Sequence, residues 1–162
     1  MIDGKMTRIR IHTRINAPIE RCFDLSRSID FHLKSMSKSK EKAIAGVQTG
    51  LIAMGQEVTW RAHHFGVWFS LTSKIVSYHR PYHFRDSMSQ GPFKSFDHDH
   101  HFRQENEFTL MEDLVEFKTP LGIVGAVLNG ILLSRHMHKL LTRRADEIKM
   151  VAETDLWKQF LD

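Results

Sequence analysis

Cysteine is nearly absent from this chain of 162 residues, in which Cys22 is the only one. A single cysteine excludes an internal disulfide, and this scarcity is typical of proteins from the reducing cytoplasm. Cys22 falls in a short predicted helix, where we expect it to be a buried small hydrophobic residue rather than a nucleophile. We therefore predict a cytoplasmic protein whose stability does not depend on cross-links.

Long hydrophobic runs are also missing. The longest, residues 121–133, is interrupted by Gly125, Asn129 and Gly130. It is too short to span a bilayer and is typical of a buried or interfacial helix. The first 14 residues are too polar for a secretory signal. We expect a soluble protein without stable membrane insertion.

Neither sign of charge dominates the sequence. It has 23 lysines and arginines against 19 acidic residues, and the basic residues are spread along the chain. Scattered charge is typical of a solvated surface, so we do not expect nucleic-acid binding. The length suits one domain, and no repeat or linker divides it. We assign residues 1–153 to a single ligand-binding domain and residues 154–162 to a C-terminal tail.

Histidine, by contrast, is plentiful, with eleven residues. They are densest in a predicted strand at residues 94–104. Side chains of a strand alternate between its two faces. One face of this strand carries Phe96, His98, His100 and Phe102, and the opposite face carries Asp97, Asp99, His101 and Arg103. Two imidazoles between two phenyl rings are unusual in a plain core, and imidazole serves in proton transfer, metal ligation and polar ligand contacts. This pattern indicates a pocket with polar groups inside.

The remaining periodicity predicts a mixed α and β fold. A strand at residues 7–15 precedes two short helices, the first capped by Asn16 with Pro18 in its first turn and the second at residues 28–36. Six strands follow, at residues 42–48, 56–65, 67–78, 82–89, 94–104 and 108–118. Their short connections indicate antiparallel hairpins. A helix at residues 123–153 completes an α+β fold, in which a curved seven-stranded antiparallel sheet wraps the helix and leaves a gap between them.

Several segments resemble the START-like, or SRPBCC, superfamily. RINAPIERCF at residues 14–23 is similar to its strand-to-helix start, and YHRPYHFRD at residues 78–86 to one of its hairpins. QGPF at residues 90–93, TLMED at residues 109–113 and TPLG at residues 119–122 extend the match, which covers residues 5–153. The chain most resembles the bacterial polyketide cyclase/dehydrase-like branch. The resemblance implies the helix-grip fold and a ligand cavity.

The resemblance implies no particular chemistry, because the superfamily includes lipid carriers, hormone receptors, cyclases and oxygenase domains. Known catalytic residues of a cyclase do not map onto this chain. Oxygenase subunits of the superfamily hold a metal, usually beside a Rieske domain with cysteine and histidine ligands, and a chain with one cysteine lacks that arrangement. We expect no cofactor and no metal.

In each strand, alternate residues form one mostly apolar face, and the polar residues on these faces are the candidates for the pocket. They are His64, Asp86, His98, His100 and Asp113. A hairpin turn near residues 91–92 places Asp86 opposite or diagonal to His98, and a turn at residues 105–107 lets Asp113 face His98 or His100. We predict a ladder Asp86–His98–Asp113 with His100 beside it, and His138 reaching the pocket from the helix.

The predicted apolar lining of the pocket is Trp60, Phe69, Phe84, Met88, Phe96, Phe102 and Phe117. Three interpretations of the polar set stay open: a shifted register that leaves it solvated, a satisfied network that contacts a ligand, or acid–base catalysis or metal ligation. Two histidines and a carboxylate can form a metal triad, although alternate strand positions alone are a weak signal. His63, His79, His83 and His101 are predicted at the surface, with Asp97 and Asp99 as solvated partners of lysine or arginine.

These observations favour binding of a hydrophobic or aromatic small molecule in the cavity. One alternative is an enzyme of the cyclase, dehydratase or hydrolase type that uses His98, His100 and Asp113. Another is a lipid carrier or interaction protein that uses residues 121–133 as an apolar surface. The sequence leaves open whether a reaction is catalysed, which ligand binds and whether the chain forms a homodimer.

Overall fold

The computed structural model describes residues 6–120 and 130–161 of the chain. Its seven strands form one curved antiparallel sheet with the spatial order β1-β7-β6-β5-β4-β3-β2. In chain order they are β1 (Met6–Ile15), β2 (Lys42–Gly46), β3 (Glu57–His64), β4 (Val67–His79), β5 (His83–Gln90), β6 (Ser95–Glu105) and β7 (Phe108–Lys118). The predicted α+β helix-grip architecture is confirmed.

The strands form where the sequence alternates between apolar and polar residues. In β7 every second residue is buried, beginning at Thr109 and ending at Phe117. Because side chains of a strand point alternately to its two faces, this pattern directs one face toward the helix and the other toward solvent. Every predicted strand is present, and its ends lie within two residues of the prediction.

Two short helices, α1 (Ile19–Ser26) and α2 (Ile29–Ser35), connect β1 to β2 together with a 3₁₀ turn at Ser37–Ser39. The Ser28 hydroxyl caps α2 by accepting a hydrogen bond from the Phe31 amide. The predicted Asn16 cap of α1 is wrong, because Pro18 takes the cap position and its side chain cannot accept a hydrogen bond. Instead Gln104 of β6 accepts from the Ile19 amide at 3.1 Å.

The C-terminal helix, α3 (Gly130–Ala152), packs on the concave face of the sheet. Its buried apolar residues recur at intervals of three and four: Leu141, Ala145, Ile148, Val151 and Ala152. The part of the predicted helix at residues 123–129 lies outside the described residues. Among the described helices, none combines the length and the apolar character needed to cross a membrane.

Phe23 of α1 anchors the larger part of the core. Its ring makes edge contacts with Tyr78, Phe84 and Phe102, at centroid distances of 5.4, 5.2 and 5.4 Å. Cys22 beside it is fully buried, and burial raises the pKa of its thiol to about 11. Cys22 is therefore a packing residue, as predicted, since thiolate is the reactive form.

The C-terminal residues pack back onto the first helices. They form a 3₁₀ turn at Asp155–Trp157 and a final turn, α4 (Lys158–Leu161). Phe160 contacts the ring of Phe31, and the Arg21 guanidinium lies 4.3 Å from the ring centre of Trp157. These contacts cover the outer side of α1 and α2.

Candidate functional site

A pocket of about 410 Å³ lies between the concave face of the sheet, the α1–α2 segment and α3. Most of the side chains that line it are apolar, among them Val58, Trp60, Phe69, Leu71, Phe96 and Leu141. One part of its wall is polar and is formed by Asp86 of β5 with His98 and His100 of β6. The site thus combines a large apolar surface with a patch of ionisable groups on its sheet side.

Strand register brings the polar residues together. Asp86 pairs directly with His98, and His100 pairs directly with Asp113 of β7. His98 and His100 are two residues apart, so both side chains project from the same face as the two aspartates opposite them. Three neighbouring strands therefore place two carboxylates and two imidazoles in one cluster, which we call the Asp/His cluster.

Hydrogen bonds in the Asp/His cluster run mostly along the diagonals. His98 Nε2 lies 2.9 Å from Asp113 Oδ1, and His100 Nε2 lies 3.0 Å from Asp86 Oδ2. His100 Nδ1 also lies 3.0 Å from Asp113 Oδ1, but this approach is too oblique for a good hydrogen bond, so the contact is mainly electrostatic. The Ser73 hydroxyl donates to Asp86 Oδ1 at 2.7 Å.

Arg144 of α3 closes the cluster from the helix side. Its Nη2 donates to the Ser26 carbonyl at 2.7 Å, and its Nη1 lies 3.8 Å from Asp113 Oδ1. Arg144 is charged but buried, although charged residues of a helix usually face solvent. Arg144 follows Leu141 by three residues and precedes Ile148 by four, so it belongs to the buried stripe.

The ionisation of the two aspartates follows from their partners. Burial by itself raises the pKa of Asp86 and of Asp113, but hydrogen bonds and attraction from His100 and His98 outweigh it. The net result is a pKa well below the usual range for both carboxyl groups. Both are therefore carboxylates near neutral pH.

The pKa values of the two histidines are shifted in opposite directions. Burial lowers the pKa of His100, but the contacts with Asp113 and Asp86 outweigh burial and raise it. Burial and the neighbouring charge of His100 lower the pKa of His98. An imidazolium at His100 and a neutral His98, with Arg144 and two carboxylates, give a cluster without net charge. Such pairing keeps the cost of burying these groups low.

One atom of the cluster is left available to the pocket. A neutral His98 that donates from Nε2 to Asp113 carries a lone pair on Nδ1. Within the described parts of the chain, Nδ1 has no hydrogen-bond partner, and it lies 4.0 Å from Asp86 Oδ2. Two acceptor atoms thus face each other across a gap at the pocket wall.

The structure places the other predicted site residues as follows. Trp60, His64, Phe69, Phe84 and Phe96 line the pocket. Asp113 lies behind the two histidines and is fully buried. Phe102 belongs to the core around Phe23, Phe117 packs with Phe93 and Phe96, and Met88 contributes no surface to the pocket.

His138 does not reach the pocket. It is exposed, and its Nδ1 lies 3.4 Å from the Thr142 hydroxyl. Two residues earlier, His136 lines the pocket and lies 3.1 Å from His64. Residues two positions apart in an α-helix point about 200° apart around its axis, so only one of these histidines can face the sheet.

A second polar position of the pocket was missed in the sequence. His32 of α2 lies 2.7 Å from Glu41 and stacks on Trp60 at a centroid distance of 4.1 Å. Burial raises the pKa of Glu41, but the neighbouring His32 outweighs it, and the pKa is lowered. Glu41 stands in a lysine-rich stretch that predicts a solvated connection, so its sequence context gives no signal of burial.

The outer face of the sheet carries a second group, made of His83, Arg85, Asp99 and His101. Arg85 and His83 both bind the Asp99 carboxylate, with distances of 2.9 Å from Nε and 2.7 Å from Nε2. The prediction of an arginine partner for Asp99 is confirmed. The prediction that Asp99 is solvated is wrong, because the two partners leave only 5% of it exposed.

Several solved structures are similar to this fold. Major latex-like protein 151 from Panax ginseng has a TM-score of 0.66 at 15% identity, over 93% of this chain and 100% of that chain. A START superfamily protein from Mycobacterium smegmatis has a TM-score of 0.67 at 10% identity, over 90% and 97% of the two chains. The KanY protein, solved by NMR, has a TM-score of 0.68 at 10% identity, over 93% and 99%.

At these identities the likeness establishes the fold, which is that of the START-like superfamily. No protein-family model matches the chain. No curated protein matches it either. A fold alone does not determine a function, which depends on the residues of the site.

Proposed function

We propose that the protein binds a hydrophobic or aromatic small molecule in the pocket between the sheet and α3, with a polar group of the ligand facing Asp86, His98 and His100. The observation that carries this proposal is the composition of the pocket wall. It is apolar over most of its surface, and Asp86, His98 and His100 form a polar patch on its sheet side.

The size and lining suit an organic ligand. A volume of about 410 Å³ falls within the range of roughly 300–1,000 Å³ typical of small-molecule sites. Trp60, Phe69 and Phe96 offer flat apolar surfaces, on which aromatic rings pack by offset stacking or edge contacts. Removing such a surface from water is the main source of affinity for a ligand of this kind.

The Asp/His cluster supports specificity. Its internal contacts hold both aspartates and His100, so the arrangement is fixed before any ligand arrives. A pre-organised polar group in an apolar site orients a ligand without the cost of ordering side chains. The superfamily resemblance adds support, because its members share a ligand cavity in this place.

Native mass spectrometry of freshly purified protein tests the proposal. We expect a reproducible organic molecule bound one to one, released on denaturation and identified in the organic extract. A protein purified without any adduct, and unable to take up an added apolar fluorophore such as anilinonaphthalene sulfonate, would contradict it.

A further inference from the structure

Three ligand-type atoms converge at the polar wall of the pocket. Asp86, His98 and His100 each offer one such atom, and these atoms lie within 4.8 Å of one another. Asp86 Oδ2 lies 3.0 Å from His100 Nε2 and 4.0 Å from His98 Nδ1. Ligands that bind one metal at about 2.1 Å are roughly 3.0–3.4 Å apart. The first distance already lies in this range, whereas the second and the distance between the two histidine atoms, which is within 4.8 Å, require His98 to move closer.

The opposite side of each of these groups already has a partner. His98 Nε2 donates to Asp113 Oδ1, and His100 Nδ1 lies 3.0 Å from the same oxygen. Ser73 donates to Asp86 Oδ1, which leaves Oδ2 directed at the histidines. Histidines that bind a metal usually donate their second N–H to a carboxylate, and this contact fixes the tautomer and ring orientation. Asp113 fills this role by a hydrogen bond to His98 and by a close electrostatic contact with His100.

From this arrangement we propose that Asp86, His98 and His100 bind a divalent first-row transition-metal ion, with Asp113 and Ser73 as the outer partners that orient them. Two imidazoles and a carboxylate suit Fe(II), Co(II), Ni(II) or Zn(II), whereas Mg²⁺ and Ca²⁺ prefer oxygen ligands throughout. The two carboxylates, Asp86 at the site and Asp113 behind the histidines, supply negative charge that favours a divalent cation.

The position of this metal deepens the proposed function. Three protein ligands from one wall leave coordination positions on the pocket side, where an oxygen or nitrogen atom of the organic ligand can bind. Coordination of an organic ligand by the metal rests on the proposed function, but the metal site itself does not. Its test therefore uses the metal alone.

Paramagnetic NMR on the wild-type chain locates the site without a mutation. Protein stripped with a chelator is titrated with Co²⁺, and methyl resonances are followed. Ile75 and Val115 pair directly with Asp86 and His98 on the inner side, whereas Val76 and Leu114 lie at the outer group of His83, Asp99 and His101. We expect the first equivalent of Co²⁺ to shift or broaden the inner methyl signals. Effects confined to the outer methyl signals, or no saturable effect, overturn the proposal.

Calorimetric titration with Zn²⁺ compares the affinity of the wild-type protein with that of matched variants. Asp86→Asn removes a ligand at constant size, and we expect the Zn²⁺ dissociation constant to rise at least about 100-fold. Asp113→Asn removes an outer partner, for which a rise of about 10- to 100-fold is expected. The double variant His83→Gln/His101→Gln removes the outer histidines and should keep the tight site.

Unchanged affinity in a folded Asp86→Asn variant, or loss of the tight site in the double variant, refutes the metal assignment. If Asp86→Asn does not fold, the wild-type Co²⁺ experiment decides. Because no organic ligand is present in either experiment, a protein that binds an apolar probe but no metal refutes this inference and leaves the proposed function standing.

Discussion

Asp86 of β5 is the direct strand partner of His98 of β6, but its carboxylate binds His100, which lies two residues beyond His98 on β6. The distance from Asp86 Oδ2 to His100 Nε2 is 3.0 Å, against 4.0 Å to His98 Nδ1. The same diagonal relation joins His98 to Asp113, whose direct partner is His100. Diagonal neighbours on one face are within reach of long side chains, so two crossed contacts tie three strands together.

The crossed contacts have a functional consequence. They use His98 Nε2, His100 Nε2 and Asp86 Oδ2, while Ser73 occupies Asp86 Oδ1, and they leave His98 Nδ1 free toward the pocket. A direct ladder through His98 would have occupied both of its nitrogen atoms. The diagonal pattern is therefore what leaves a free acceptor atom at the pocket wall.

Asp113→Asn tests the energetic role of the Asp/His cluster. Asp113 is fully buried and is the shared partner of His98, His100 and Arg144. Neutralising it leaves an excess positive charge in the interior, so we expect a loss of about 3–5 kcal/mol in the free energy of unfolding. Urea denaturation followed by circular dichroism measures this loss.

Glu116→Gln is the control for this prediction. Glu116 lies on the same strand but pairs with the exposed Arg8 on the outer face. Exposed ion pairs contribute about 0–1 kcal/mol, so a small change is expected. Equal losses for the two variants would show that the inner cluster has no special role in stability.

Phe102→Ala separates the core from the pocket. Phe102 is buried against Phe23 and Phe84 and does not line the pocket. We expect a loss of about 3–5 kcal/mol in stability and unchanged affinity for an apolar fluorophore measured below the unfolding temperature. Phe65→Ala, at an exposed residue of the pocket rim, is expected to cost much less stability. A large affinity loss in folded Phe102→Ala would show that Phe102 lines the pocket.

Asp24 should make stability depend on pH in the acid range. It binds Arg27 at 2.8 Å and Arg80 at 2.6 Å. Burial alone raises the pKa of Asp24, but the hydrogen bonds from Arg80 and Arg27 outweigh it and lower the pKa. A lowered folded-state pKa means that the stabilisation is complete above the unfolded value of about 3.9 and disappears as pH falls through the folded value.

Wild type and Asp24→Asn are therefore compared by urea denaturation between pH 7 and pH 2. We expect a difference on the order of 1 kcal/mol near pH 6 that shrinks below pH 4. Asp155→Asn, at an exposed carboxylate, is the control. A difference that stays constant down to pH 2 would assign the effect of Asp24→Asn to packing rather than charge.

Much of the fold was predictable because period-two alternation is strong in these strands. It located all seven strands, and the short connections predicted antiparallel neighbours among the later strands, whereas the pairing of β1 with β7 was not predicted. The same rule directed Asp86, His98, His100 and Asp113 to one face. Which diagonal each side chain takes depends on strand twist and rotamers, and these are not encoded in the alternation.

Residues from outside the sheet were harder to predict. Arg144 and His136 depend on the rotation of α3 about its axis, and an error of one or two residues exchanges His136 for His138. The spacing of Arg144 from Leu141 and Ile148 was an available signal. Ser73 was another, since it falls on the apolar phase of β4 between Leu71 and Ile75. No local pattern indicates that Glu41 meets His32.

A larger side chain placed inside the pocket tests whether the space between the sheet and α3 is a ligand site. Ala62 lines the pocket from β3, whereas Ser70 of β4 is exposed. The measurement is fluorescence titration of an apolar probe, anilinonaphthalene sulfonate, into wild type, Ala62→Phe and Ser70→Phe. The two variants add the same ring on opposite faces of the sheet.

We expect saturable one-to-one binding to wild type, an affinity at least about tenfold weaker in Ala62→Phe, equal to about 1.4 kcal/mol, and no change in Ser70→Phe. Equal affinities in all three proteins, with each shown to be folded by circular dichroism, would contradict it and place the binding surface elsewhere on the molecule.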